Sequence, residues 1–342
     1  MKPRLRALAT AVPGHILDQQ SVALQASRLF SARTQAFQRL AQVYGNAGIE
    51  KRHSCVPIDW YLEPHGWAER SRLYVDAALE LGERTIRACL AECGLGLGDI
   101  DGLVTVSTTG IATPSLDALL QERLGLRRDL ERLPVFGLGC AGGVLGLARA
   151  AALATAAPGS RILCLVVELC GLTFRPADTS PANIVATALF GDGAAAALIS
   201  TEGEGPTLGP WGEHSVPDSL DVMGWDIGDD GFGVRFSRDI PALVRNDLVP
   251  VLDAFLRRHG LDLPAFDAIA CHPGGAKVLD AFEEVVGTAL PEAREVLRDF
   301  GNMSAPTVLF VLDRLRRHWK GRILMTALGP GFTAGFLALG AR

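Results

Sequence analysis

Short apolar runs alternate along the chain with longer stretches rich in alanine and leucine. Leu103–Val106 and Ile162–Val167 have the length and the β-branched content of buried strands. Asp76–Cys93, Leu116–Leu124 and Val144–Ala157 have instead the composition of helices. Strands alternating with helices predict an α/β fold made of layers, rather than a β-sandwich or a helical bundle.

The same order of patterns occurs twice in the chain. The paired segments are Asp101–Val106 with Asp267–Cys271, Val144–Ala157 with Ser304–Arg317, and Phe190–Ile199 with Leu328–Leu337. Matching segments in matching order indicate an internal duplication. We therefore predict two related halves, 1–203 and 204–342, joined through the glycine-rich segment Thr201–Gly233.

The duplication gives Cys140 and Asn302 equivalent positions, each at the start of a helical stretch. His272 follows the strand of the second half that is equivalent to Leu103–Val106. Related halves packed face to face would bring these helix starts together. We therefore expect Cys140, His272 and Asn302 to meet in one cleft.

The bulk composition narrows the class of protein. The chain has 342 residues, 48% of them hydrophobic, and a net charge of −5 without a long basic run, which argues against nucleic-acid binding. No uninterrupted apolar stretch is long enough to span a membrane. The N-terminus resembles a signal peptide, but Pro13 and Gly14 interrupt it, so we expect a strand and a turn.

The seven cysteines form an odd set without the spacing of a disulfide framework, which fits reduced thiols in the cytoplasm. Cys89 and Cys93 lie one helical turn apart, but no CxxC motif or suitably spaced histidine accompanies them. We expect no metal site.

Cys140 lies between an apolar run and a helix, within the sequence FGLGCAGG. Unpaired N–H groups and the helix dipole at such a helix start favour a thiolate over a thiol, and the flanking glycines let a substrate approach. The alternative is a buried structural cysteine. A purely structural role would not need the glycines, so we predict a nucleophile.

His272 and Asn302 have structural alternatives too. His272, in CHPGG, follows a strand end, where α/β proteins place chemistry, but it could be hydrogen-bonded within a turn. Asn302, in GNMSAPTVLF, could be the N-cap of the next helix. The repeat phase favours functional roles for both residues.

A glycine motif suggests a different class of protein. Gly137, Gly139 and Gly142 spell GxGxxG after an apparent strand, and Glu168 ends the next strand, as in a dinucleotide fold. The motif lies in mid-chain, holds a cysteine and has no copy in the second half. A dinucleotide-dependent oxidoreductase is therefore a minor alternative.

At these residues the sequence resembles the chalcone synthase-like type III polyketide synthases, which are condensing enzymes with the thiolase fold. The matching stretches, in family order, are FGLGCAGG, LTFRPAD, ALFGDGAAA, CHPGG, GNMSAPTVLF and GPGFTAG. The ketoacyl synthase III group also uses Cys, His and Asn, but its histidine usually lies in an HQAN-type motif. The resemblance implies two pseudo-repeated halves in a layered αβαβα arrangement.

The resemblance also implies the chemistry. Cys140 would carry the acyl starter as a thioester and pair with His272. His272 and Asn302 would hold the malonyl thioester carbonyl during decarboxylation, because two fixed donors stabilise the enolate oxyanion. Phe190 and Phe236 would stand between the acyl pocket and the coenzyme A tunnel.

Further positions follow from the same resemblance. The substrate pocket would include Cys170, Thr108, Thr109, Thr173 and Ser304; coenzyme A would contact Arg39, Gly274 and Ala276; and Thr113, Gly329, Pro330 and Gly331 would form the dimer and loop positions. The implied enzyme is a homodimer that uses acyl-CoA and malonyl-CoA and needs no resident cofactor or metal.

Departures from chalcone synthase point away from chalcone as the product. Cys170 replaces a threonine, Thr113 replaces a methionine that reaches across the dimer, and Ala327–Gly331 reads ALGPG where plant enzymes read GFGPG. These differences favour the bacterial branch that makes alkylpyrones or alkylresorcinols from fatty acyl starters. A single-round ketoacyl synthase and a catalytically silent dimerisation scaffold remain as alternatives.

Overall fold

A computed structural model describes residues 1–31, 33–34, 36–237, 239–318 and 321–340. The strands are β1 Arg4–Ala11, β2 His15–Asp18, β3 Lys51–Ser54, β4 Gly102–Val106, β5 Glu131–Val135, β6 Arg161–Leu169, β7 Asp192–Ser200, β8 Leu208–Ser215, β9 Met223–Gly228, β10 Gly231–Phe236, β11 Ala268–Cys271, β12 Ile323–Gly329 and β13 Thr333–Leu339. The α-helices are α1 Gln19–Phe30, α2 Ala36–Leu40, α3 Gln42–Asn46, α4 Trp67–Glu92, α5 Leu116–Leu124, α6 Gly142–Ala156, α7 Pro181–Leu189, α8 Ile240–Leu243, α9 Val249–Arg258, α10 Ala276–Val286, α11 Pro291–Phe300 and α12 Thr307–Arg316.

Two sheets form the framework, and their connections repeat. The first sheet has the order β1-β7-β6-β4-β5 and the second the order β11-β12-β13-β8. In the first sheet β4 runs parallel to β6, and β7 is antiparallel to both β6 and β1. In the second sheet β11 runs parallel to β12, and β13 is antiparallel to both β12 and β8. The two sheets thus share one topology, with β5 added at the edge of the first.

Helices α6 and α12 lie between the sheets. α6 packs on β4 and β6 of one sheet and on β8 and β13 of the other, while α12 contacts α6, β1 and β11. Gly143 allows this close approach, because a Cβ there would lie 2.7 Å from Val308 Cγ1 and would overlap the Ala305 carbonyl oxygen.

Outer helices complete five layers. Helix α4 covers the far face of the first sheet, where Ile86 and Leu90 pack with Leu103 and Leu165. Helix α9 covers the second sheet, with the Phe255 ring stacked on Phe336 at 5.2 Å. The predicted αβαβα arrangement of two pseudo-repeated halves is confirmed.

The middle layer also explains the chain's most apolar segment. Gly139–Ala156 is long and apolar enough to cross a membrane by length and composition, but 72% of it is buried inside the protein. That burial on both sides is what a central helix between two sheets requires. The first apolar run of the chain forms strand β1, as predicted.

Two boundaries differ from expectation. The glycine-rich segment Thr201–Gly233 is not a simple connection, since it contains β8, which closes the edge of the second sheet, and β9. Its glycines hid the strand pattern. Helix α12 begins at Thr307, with Pro306 as its N-cap residue, so Asn302 is not the N-cap.

Candidate active site

Cys140 lies in a single 3-10 turn, Gly139–Ala141, that leads directly into α6. Gly139 has a φ of +47°, and a Cβ there would press against the Pro330 ring. Its N–H donates to Thr108 Oγ1 at 3.2 Å. These contacts fix the turn and hold the thiol, which is 7% exposed, at the bottom of a pocket.

His272 follows strand β11, and its backbone N–H donates to the Thr326 carbonyl at 2.9 Å. The residue is 5% exposed. Neither ring nitrogen has a hydrogen-bond partner among the described residues. The alternative of a ring bonded within its own turn is therefore wrong, and both nitrogens are free for a ligand.

Asn302 is held from three directions. Its backbone bridges to the Phe190 segment: Asn302 N–H donates to the Leu189 carbonyl at 2.8 Å, and Gly191 N–H donates to the Asn302 carbonyl at 3.0 Å. The side-chain Nδ2 donates to the Gly274 carbonyl at 3.1 Å, beside His272. Its Oδ1 accepts the Ser304 N–H at 2.8 Å, which fixes the orientation of the carboxamide.

The three predicted residues line one pocket, whose other walls are mostly apolar and include the Thr326 hydroxyl. Phe236, Met223 and Phe282 are among those walls. The Cys140 thiol donates to Ser304 Oγ across 3.6 Å. A thiol, an imidazole and a carboxamide are thus brought together from sequence positions far apart.

Burial dominates the electrostatics of this pocket. It raises the pKa of the Cys140 thiol to about 12, although the hydrogen bond with Ser304 acts to lower it. Burial also lowers the pKa of His272 to about 3. Burial thus outweighs the stabilisation of a thiolate that the helix start was predicted to give. The free ring nitrogens of His272 line the same pocket and can accept the thiol proton, which would keep the pair neutral overall.

Comparison with known proteins identifies the family. Models of the chalcone and stilbene synthases match residues 2–203 (N-terminal domain) and 212–340 (C-terminal domain). The chain belongs to the type III polyketide synthases. A putative chalcone synthase of Bacillus subtilis is 36% identical over 351 residues, covering 96% of both chains. A 1,3,6,8-tetrahydroxynaphthalene synthase of Streptomyces peucetius is 38% identical over 347 residues, covering 97% of this chain and 92% of that one.

A solved structure agrees with these relatives. The 1,3,6,8-tetrahydroxynaphthalene synthase of Streptomyces coelicolor superposes with a TM-score of 0.93 at 30% identity, over 99% of both chains. This type III polyketide synthase is thus a condensing acyltransferase of a family that uses acyl-CoA and malonyl-CoA. The oxidoreductase alternative is wrong, because both halves match the chalcone and stilbene synthases; Gly139 and Gly142 instead pack against Pro330 and Val106.

A second pocket adjoins the first and holds most of the predicted substrate positions. Cys140, Cys170, Phe190, Phe236, Ser304 and Pro330 all line it. Trp225, which the sequence did not single out, lies there too, with its ring against Phe190 and its Nε1 donating to the Thr108 carbonyl at 2.9 Å. Gly329 packs so tightly on Ala141 and Leu138 that no side chain would fit, and Gly331 has a φ of +81°.

Glu168 organises the predicted threonines. Its buried carboxylate accepts the N–H groups of Thr108 and Thr109 and, at 2.7 Å, the Thr109 hydroxyl. Burial raises its pKa to about 7 despite these bonds. The sequence pattern assigned Glu168 only to a dinucleotide fold, and that assignment is wrong because the side chain is fully buried and bonded to these threonines. Thr173 lies farther away, in a third cavity.

The remaining predicted positions lie outside the catalytic pocket, except Gly274, which lines it. Arg39 is exposed on α2, and Ala276 begins α10 and packs near Gly48. Thr113 is exposed in the loop before α5. Their roles toward coenzyme A and a partner stay predictions. The described residues contain no cluster of three or more metal-binding side chains.

Alkylation of Cys140 tests directly whether His272 takes up the thiol proton. We expect His272→Ala to slow iodoacetamide labelling of Cys140 at least about tenfold at pH 7.5, because the lone buried thiol keeps a raised pKa. In this variant the rate should keep rising with pH through the alkaline range, because the thiol pKa is raised to about 12, whereas the unmodified enzyme should show a much flatter profile. Labelling is followed by peptide mass spectrometry.

His214→Ala, at an exposed histidine on β8, is the matched control and should leave the rate unchanged. Equal labelling rates in the His272 variant and the unmodified enzyme would show that the imidazole does not accept the thiol proton.

Proposed function

We propose that this type III polyketide synthase loads a medium- or long-chain acyl-CoA on Cys140 and extends it with malonyl-CoA. The product is then cyclised to an alkylpyrone or an alkylresorcinol. The observation that carries this proposal is a third, apolar cavity that continues from the Cys140 pocket and is described below.

Loading begins with transfer of the thiol proton to His272. The thiolate attacks the thioester carbonyl, the bond to the coenzyme A sulfur breaks, and the imidazolium returns its proton to that leaving thiolate. Asn302 and Ser304 stabilise the developing sulfur anion, since both act to lower the pKa of Cys140. The coenzyme A thiol then leaves.

Extension uses His272 and Asn302 as the two donors to the malonyl thioester. Burial keeps His272 neutral at pH 7, so one ring nitrogen carries a proton and can donate to the thioester carbonyl. The Asn302 carboxamide donates beside it. As carbon dioxide leaves, these donors stabilise the enolate oxygen, and the enolate carbon attacks the acyl-Cys140 carbonyl to release the thiolate. A thioester is already activated for this step, so we propose no resident cofactor or metal.

The third cavity is named here the starter cavity. Its walls come mainly from α1, α7 and the segment Ile58–Leu62, and include Leu29, Phe30 and Ala186. It shares Cys170, Phe190 and Val234 with the pocket that holds Cys140. An acyl chain on the thiol can therefore pass between Cys170 and Phe190 into apolar surroundings, and each buried methylene contributes about 0.8 kcal/mol.

The named relatives support a second candidate. Several are 1,3,6,8-tetrahydroxynaphthalene synthases or 3,5-dihydroxyphenylacetyl-CoA synthases, whose names describe aromatic products. If this chain acts as they do, malonyl-CoA alone would give a naphthalene product. Incubation with malonyl-CoA in the presence and absence of acyl-CoAs, with mass analysis of the products, separates the candidates; single-round β-ketoacyl products would contradict both.

We also propose a homodimer in the cytoplasm, where coenzyme A thioesters are formed. β5 is the edge strand of the first sheet, so its outer backbone groups can pair with a second copy. Phe136, just after β5, is 54% exposed, and Ile111, across an adjoining pocket, is 50% exposed. Thr113 follows in the same loop. An apolar face beside an open sheet edge fits a self-complementary interface.

Removal of the nucleophile separates the two steps. We expect Cys140→Ala to abolish polyketide formation while malonyl-CoA decarboxylation continues, because His272 and Asn302 still hold the carbonyl. Asn302→Leu should lower decarboxylation about 100-fold or more, since one of two oxyanion donors is lost. Carbon dioxide release and product mass are measured. Full-length polyketide from the Cys140 variant would refute covalent loading.

Filling the starter cavity should shorten the preferred starter. In Ala186→Phe we expect the ratio of kcat/KM for dodecanoyl-CoA to that for acetyl-CoA to fall at least about tenfold, because the ring takes the space of several methylenes. Ala156→Phe, at an exposed end of α6, is the control. An unchanged ratio would place the acyl chain elsewhere.

The dimer face is tested by a charge. We expect Phe136→Asp to give a monomer in analytical ultracentrifugation, because a carboxylate would be buried without a partner at the interface. Ile227→Asp places the same charge at a residue that is 63% exposed on β9 and should stay dimeric. A dimeric Phe136 variant would exclude this face.

A further inference from the structure

Arg52, on β3, is a buried cation that forms no ion pair with any carboxylate in the described part of the chain. The residue is 1% exposed and is among the largest fully buried side chains of the described chain. Its Nη2 donates to Gln19 Oε1 at 2.8 Å, whereas Nη1 has no hydrogen-bond partner among the described residues. Buried arginines normally have a carboxylate or a full set of acceptors, because an unpaired buried charge is costly.

The groups around Arg52 do not balance its charge. Tyr44 and Tyr61 are the titratable neighbours that favour the cation. Burial raises the pKa of both phenols, so both are neutral at pH 7. The Gln19 amide is neutral too, and its Nε2 donates to the carbonyls of Tyr44 and Ala188. None of these groups therefore neutralises the positive charge of Arg52.

A nearby acid is occupied elsewhere. Asp192 accepts the N–H groups of Cys55 at 2.9 Å and of Gly171 at 2.8 Å. Among the described residues no carboxylate forms an ion pair with Arg52. A counter-ion for Arg52 would therefore have to come from a bound molecule or from residues outside the described part of the chain.

Arg52 lies in the wall of the starter cavity. Most of that wall is apolar, and Arg52 is the one cation among the described residues that line it. Tyr61 and Thr187 place hydroxyl groups in the same lining. An apolar cavity with a single buried guanidinium suits an aliphatic chain that carries one negative charge.

We propose that Arg52 binds a carboxylate at the remote end of the acyl starter, so that the enzyme accepts ω-carboxyacyl-CoA thioesters. This inference rests on the proposed function, since the thioester end of the same chain must reach Cys140. The carboxylate is bound through Nη1 and takes no part in bond making or breaking. A methyl-terminated chain leaves the guanidinium unpaired, which favours the carboxylated starter of equal length.

The test compares octanoyl-CoA with 7-carboxyheptanoyl-CoA, which differ only at the remote end. The variant Arg52→Met keeps the length of the side chain and removes its charge. We expect kcat/KM for the carboxylated starter to fall about 10- to 100-fold in this variant, as for loss of a charge-assisted hydrogen bond. The value for octanoyl-CoA should change by no more than about threefold.

Arg70→Met is the matched control. Arg70 is also buried, but it donates to the carbonyls of His65 and Leu172, lies over the Trp60 ring and does not line the starter cavity. Its loss should affect both starters equally. An equal loss on both starters in Arg52→Met would overturn the inference and leave Arg52 a structural role.

A second variant and a binding measurement distinguish failure of this inference from misfolding of the variant and from failure of the proposed function. If Arg52→Met does not fold, Arg52→Lys takes its place, and we expect it to retain part of the preference for the carboxylated starter. If the unmodified enzyme uses neither starter, the proposed function fails. Thermal unfolding of the unmodified enzyme with free suberate or octanoate then decides on Arg52: stabilisation by suberate above octanoate supports the subsite, and equal effects overturn it.

Discussion

Two backbone hydrogen bonds between the Phe190 and Asn302 segments set the geometry on which the active site depends. They join the end of α7, in the first half, to the loop before α12, in the second. Gly191 and Gly301 make the approach possible: a Cβ at Gly191 would lie 2.6 Å from the Phe300 carbonyl oxygen, and one at Gly301 would lie 2.7 Å from the Leu189 carbonyl oxygen. The bridge fixes Phe190 and Asn302 on opposite sides of the same junction.

The resulting site is buried and mostly apolar, and its chemistry follows from this environment. In an apolar pocket neither a lone thiolate nor a lone imidazolium is favourable, so the charge can appear only as a pair or on a bound substrate. The same apolar surroundings strengthen the hydrogen bonds from the donors that face the enolate. In the proposed mechanism catalysis therefore depends on moving one proton between two buried groups rather than on a permanently ionised nucleophile.

The elements that could be predicted from the sequence are those that occur in both halves or that contain the motifs around Cys140, His272 and Asn302. The duplicated patterns were enough to place Cys140, His272 and Asn302 together, because equivalent strand ends and helix starts meet when related layers stack. The pattern was not enough for β8, whose glycines mask its alternation, or for the ionisation of Cys140, which depends on the burial of its thiol. Arg52 lies in the short run KRH, and nothing in those letters indicates that its charge is enclosed without a partner.

In the proposed mechanism a thiol, an imidazole and a carboxamide act on one thioester inside this pocket. Mass spectrometry of the intact enzyme after mixing with an acyl-CoA and no malonyl-CoA, followed by peptide mapping, tests this mechanism most directly. We expect one acyl group per chain, on Cys140, that disappears as polyketide forms once malonyl-CoA is added. An acyl group on another of the seven cysteines, or product formation without any acylated Cys140, would contradict it.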